Sequence, residues 1–111
     1  MEITENKRDN IIILELKGNL NVMTTNLLEE KFTALIEHGE KLLVVDFSRL
    51  DYISSAGLRV FLIAAKKLKN VKGKIALSSL KPQIKEVFDI AGFSSIFSIF
   101  NSQEDAVHGL Q

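Results

Sequence analysis

Short apolar runs alternate along the chain with stretches in which apolar residues recur at helical spacing. The run Ile11-Ile12-Ile13-Leu14-Glu15-Leu16 is β-branched at its start and stops at Gly18, which predicts a strand. A weaker strand around Ile3 is expected to pair with it through the polar turn Asn6 to Asn10. Leu42 to Phe47 is nearly continuous in apolar residues, as expected of a strand covered on both faces, with a loop following it. Lys74 to Ser78 and Ile96 to Phe100 are the remaining strand candidates.

Leu27, Leu28, Phe32, Leu35 and Ile36 mark one face of a first helix, with Thr24 or Thr25 as its cap and Gly39 at its end. Leu58, Phe61, Leu62, Ala65 and Leu68 mark a second, and Ile84, Val87, Phe88 and Ala91 a third. Pro82 suits the first position of the third helix, and Gly92 lies just past its end. A last helix begins after Ser102, where Glu104 and Asp105 complement the positive end of its dipole. The resulting order, β-β-α-β-α-β-α-β-α, predicts an α/β fold with a mixed, mostly parallel sheet.

Composition narrows the chemistry. A chain of 111 residues has room for one domain, residues 1–111, around one core. Fourteen basic and fourteen acidic side chains leave no net charge, which argues against a dedicated nucleic-acid binder. Cysteine is absent, so disulfides, thiolate metal sites and cysteine nucleophiles are excluded. No secretory signal or membrane-length apolar run is seen, so a soluble, cytoplasmic protein without membrane insertion is expected. His38 and His108 stand alone and read as surface histidines rather than metal ligands. Neither standard phosphate loop nor a G-x-S-x-G nucleophile elbow occurs, so no cofactor and no enzymatic activity are expected. The basic run Lys66, Lys67, Lys69, Lys72 and Lys74 reads as a solvated face, since no aromatic residue interleaves with it.

The informative stretch is Asp46 to Leu62. Ser54 or Ser55 can cap the second helix through its free amides. Ala56 and Gly57 follow inside the first turn, where glycine costs up to ~1 kcal/mol relative to alanine. That placement implies close approach by a backbone or a partner. Ile63 falls between Arg59 and Lys67 on the helical wheel, with Val60 at the margin of the same face, so Arg59, Val60 and Ile63 read as a docking face. Leu58, Leu62 and Ala65 are assigned to the core.

Across essentially the whole chain the sequence resembles the STAS domains, and within them the stand-alone bacterial anti-sigma factor antagonists. The resemblance rests on Gly18-Asn19-Leu20-Asn21, Leu43-Val44-Val45-Asp46-Phe47, Tyr52-Ile53-Ser54-Ser55-Ala56-Gly57-Leu58 and the segment from Leu80-Lys81-Pro82 to Gly92-Phe93. It implies that the serine two before the glycine, Ser55, carries a regulatory phosphate, with Ser54 as the second candidate. It also implies partner switching. An anti-sigma factor with serine kinase activity would phosphorylate the serine, a serine phosphatase would remove the phosphate, and the unmodified protein would sequester the kinase. In this reading Asn21, Asp46 and Asp51 shape the rim of the partner-binding surface. Asn21 stands where many members have aspartate. Two other readings remain open: a constitutive STAS accessory subunit of a transporter or signalling assembly, and a small-ligand or nucleotide-binding domain.

Overall fold

The computed structural model describes all of Met1–Gln111. Its elements are β1 (Glu2–Arg8), β2 (Ile11–Leu20), α1 (Thr25–Glu37), β3 (Leu42–Ile53), α2 (Ser55–Asn70), β4 (Lys74–Ser78), α3 (Pro82–Ile90), β5 (Ser98–Phe100) and α4 (Gln103–Leu110). The expected order is present, with one added 3-10 turn at Phe93–Ser95 before β5. The strands lie in the sheet in chain order, β1 antiparallel to β2 and every later pair parallel. Arg8 and Ile11 face each other in the hairpin, so its turn is only Asp9-Asn10 and is tighter than the sequence predicts.

Residue alternation sorts the sheet's apolar side chains onto two faces. Ile12, Leu14, Leu43, Val45, Phe47 and Leu77 join α1, α2 and α3 in the larger core. Ile11, Ile13, Val44 and Ala76 meet Ala106 and Val107 of α4 on the other face. Right-handed crossovers between strands laid down in sequential order place α1, α2 and α3 on one side. At the centre of that side Phe61 packs against Phe32, Phe47, Phe88 and Phe97 at ring-centroid distances of 5.6, 5.2, 6.3 and 6.5 Å. The contacts with Phe32, Phe88 and Phe97 are edge-on, an arrangement that stabilises beyond the buried area. They fix α2, and with it the start of the helix.

Two strands run further than the hydrophobic runs predict. β2 continues past Gly18, which takes φ +106°, to Leu20, and β3 continues past Phe47 to Ile53. From Phe47 onward the buried residues, Phe47, Leu50 and Ile53, are spaced by three, because register shifts interrupt the ladder between Glu15 and Lys17 and between Gly18 and Asn19. Bulges break a period of two without ending the pairing, which is why the extension reads as a loop from sequence. In the helices, Leu27 is 49 % exposed and Val87 36 %, so both leave the predicted core. On α2 the buried arc runs through Gly57, Val60, Phe61, Ala64 and Leu68, and Leu62 and Ala65 are only partly covered.

Candidate functional site

The C-terminal ends of β2, β3 and β4 carry the loops that enter α1, α2 and α3, and the site is built there. In parallel α/β sheets this is the end where fold geometry gathers loops into a recognition surface. β3 hands over to α2 through Ser54, whose extended backbone donates its amide to the Leu20 carbonyl at 2.9 Å. The Ser54 hydroxyl accepts from the Gly57 amide at 3.2 Å, so Ser54 is the cap of α2. Ser55, the first residue of the helix, is exposed, and its hydroxyl makes no hydrogen bond. The first turn of α2 contains no acidic residue, and its earliest amides have no intrahelical partner. An anion on Ser55 would therefore meet the positive end of the helix dipole.

Gly57 explains how the helix can begin so close to the sheet. A Cβ at this position would lie 2.9 Å from both Ile53 Cγ1 and Leu20 Cγ. The close approach expected at Gly57 is thus internal, to the ends of β2 and β3, and Gly57 is buried rather than offered to a partner.

The loop before α1 is held by its own polar groups. Asn21 Oδ1 accepts from the Met23 amide at 2.9 Å, and the Asn21 amide donates to Thr24 Oγ1 at 2.9 Å. Thr24 Oγ1 in turn donates to the Asn19 carbonyl at 2.8 Å, so this hydroxyl shapes the loop instead of capping α1. An amide oxygen serves this turn as well as a carboxylate would, without the charge. The loop lifts two apolar side chains into solvent, Val22 at 73 % exposure and Met23 at 88 %. Tyr52, two residues before the cap, is 52 % exposed. The sequence pattern by itself assigns no surface role to Val22, Met23 or Tyr52. The available signal was a pair of large apolar residues inside a segment with no strand or helix period, which is unusual unless the surface is used. Asp51 is also exposed, and its carboxylate accepts from Lys81 Nζ at 2.5 Å, linking the end of β3 to the start of α3.

Two residues expected at the partner surface, Asp46 at its rim and Val60 on its docking face, belong elsewhere. Asp46 is 6 % exposed and lies on the face covered by α4, where its carboxylate accepts from the Ser48 amide and from Gln103 Nε2, each at 2.8 Å. It sits eight residues before Ser54 on an extended strand, a distance on the order of 20 Å. Its role is to fasten α4. Val60 is 5 % exposed, because α1 packs on that side of α2 and its Phe32 closes over the position. Ile63 is half-buried in the same crevice beside Lys67, while Arg59 remains exposed. The docking face read from the helical wheel is displaced for that reason: α1 covers part of it, and the free apolar groups lie on the neighbouring loops.

His38 and His108 are both exposed, and nowhere do three or more His, Asp or Glu side chains gather so as to hold a metal ion. No helix is long and apolar enough to cross a membrane.

A sheet in chain order, three helices on one face and a serine-capped, glycine-tight entry into α2 together define a STAS domain. The profile of that family matches residues 2–106, and the chain belongs to it. Among curated relatives, a proposed anti-sigma factor antagonist of Bordetella bronchiseptica, BtrV, is 47% identical over 106 residues, covering 96% of this chain and 91% of that protein. The anti-sigma-B factor antagonist of Bacillus subtilis is 29% identical over 107 residues, covering 96% and 95%. The anti-sigma factor antagonist SpoIIAA in its unphosphorylated form superposes with a TM-score of 0.86 at 20% identity, over 97% of this chain and 95% of the other. The Bacillus cell fate determinant SpoIIAA in its phosphorylated form gives 0.80, also at 20% identity, over 99% and 100%.

Proposed function

We propose that this chain is an anti-sigma factor antagonist, a protein-binding regulator switched by phosphate on Ser55. The observation that carries this reading is the division between the two serines: Ser54 is occupied as a cap, and Ser55 presents a free hydroxyl on the first turn of a rigid helix. The 47% identity to BtrV over nearly the full length supports the functional class, and SpoIIAA has been solved in both unphosphorylated and phosphorylated forms. The partner is an anti-sigma factor with serine kinase activity, which transfers the γ-phosphoryl group of ATP to Ser55 Oγ. A serine phosphatase reverses the modification in the cytoplasm. Neither step requires catalytic groups from this chain.

The unmodified surface offers Met23, Val22 and Tyr52 as apolar anchors, with Asn21, Asp51, Ser54 and Arg59 around them. A phosphate adds about −1.5 to −2 charges at pH 7. The free amides of α2 accept that charge without refolding, while a partner that docks over Ser55 must desolvate it. A loss of ~3 kcal/mol is more than a hundredfold in affinity. The deciding experiment is incubation with the cognate kinase and ATP followed by peptide mass spectrometry. One phosphate per chain on Ser55 is expected, and stoichiometric phosphate on any other residue overturns the assignment.

A further inference from the structure

At the opposite end of α2 from Ser55, a groove opens between α2, β4, β5 and α4, with a volume of about 610 Å³. It exists because β5 is only three residues long and pairs with Ala76–Ser78, so Lys74 and Ile75 have no strand beside them on that side. The gap is walled by Leu62, Leu68, Ile75, Ile96, Phe100 and Leu110. Ile96 is 53 % exposed, and Leu62 and Leu110 are only partly covered, so apolar surface here is left to solvent.

Three members of the basic run, Lys66, Lys69 and Lys74, stand at the rim, and none of them forms an ion pair. Lys67 points the other way, toward Thr33 of α1. The lysine run is therefore more than a solvated face. Three of its five members border this apolar recess, and no acidic residue lines it.

We infer that this groove binds a small anionic amphiphile, an acyl or alkyl chain ending in a carboxylate or phosphate. The volume lies within the range of small-molecule sites, and the lining has their usual character, mostly apolar with a few convergent polar groups. The chain lies along Leu62, Ile75 and Phe100. The head group takes its charge partner from the lysines, whose flexible stems reach over the rim. The site is separate from Ser55 and does not depend on the antagonist reading. It requires no change in the fold.

The test is titration of the isotope-labelled full chain with decanoate and with decyl phosphate, each below its micelle concentration, followed by amide NMR. Decyltrimethylammonium, of equal chain length and opposite charge, is the control. Shifts confined to Gly73, Lys74, Ile75, Ser98 and Gly109 are expected, with at least tenfold weaker binding of the cationic probe. Decanoate and decyl phosphate binding equally well identifies charge as the determinant; a preference for one identifies the head group. The combined variant Lys66→Gln, Lys69→Gln, Lys74→Gln should lose at least tenfold in affinity for both anionic probes while keeping its melting temperature. The inference is overturned if the anionic and cationic probes bind alike, if the shifts lie elsewhere, if neither anionic probe binds, or if the triple variant binds them as wild type does. Because the readout is direct binding, failure here leaves the Ser55 assignment intact, and failure of Ser55 phosphorylation leaves the groove intact.

Discussion

The Ser54 hydroxyl accepts a hydrogen bond from the Gly57 amide at 3.2 Å, and this single contact separates the roles of two adjacent serines. One is committed to holding the helix start, and the other is free. Ser54→Ala should lower stability by about 0.5–2 kcal/mol through loss of the cap. Ser55→Ala should change stability by less than about 0.5 kcal/mol, as for an exposed position with no side-chain bond. Chemical denaturation of both variants, paired with a phosphorylation assay, checks the division: Ser55→Ala loses phosphate incorporation, and Ser54→Ala retains it in the folded fraction.

A negative charge at Ser55 should act on the partner and not on the fold. Ser55→Asp is expected to weaken binding of the cognate anti-sigma factor at least tenfold, with the melting temperature nearly unchanged. Isothermal titration calorimetry and a thermal melt on the same preparation provide both numbers.

The exposed loop before α1 makes a prediction that the serines do not. Met23 is 88 % exposed, so Met23→Asp has almost no buried area to lose and should leave stability within about 0.5 kcal/mol of wild type. As a central apolar anchor it should nonetheless cost the complex more than tenfold in affinity. Unchanged affinity in this variant and in Tyr52→Asp would move the docking surface away from this end of the sheet.

Gly57 and Asp46 test the framework below the site. Gly57→Ala gains up to ~1 kcal/mol in helix propensity. Its new methyl group, however, meets Ile53 and Leu20 at 2.9 Å, and overpacking of this kind costs about 1–3 kcal/mol. Net destabilisation is expected, and denaturant unfolding measures it. Asp46→Ala leaves Gln103 Nε2 and the Ser48 amide without their acceptor, at a cost of about 1–3 kcal/mol, and should leave partner affinity unchanged in folded protein.

Acid should loosen α4 from β1. The Glu104 carboxyl is held below its ordinary value of 4.5, first by the hydrogen bond from Arg8 and then by the charge of that guanidinium. A group whose pKa is lowered by folding stabilises above the unfolded value and loses that contribution as pH falls through the folded one. The difference in melting temperature between wild type and Arg8→Gln should therefore be present above pH 4.5 and close below it. The pair is exposed, so the difference is small and salt-sensitive.

Local pattern alone determined the order of elements, the mixed and mostly parallel sheet, and the helix ends at Gly39, Pro82 and Gly92, because each depends on period or backbone chemistry within a few residues. It also pointed to the serine pair, since helix caps obey the same short-range rules. It left open which serine was the cap. Tertiary structure settled that by bringing the Leu20 carbonyl to the Ser54 amide and the Leu20 side chain against Gly57, a contact between segments more than thirty residues apart. Packing also decided the surface. Val60 is buried because α1 lies over it, Asp46 because α4 does, and Met23 is free because nothing does. A helical wheel shows which residues share a face, but only the neighbouring elements decide which face remains in water.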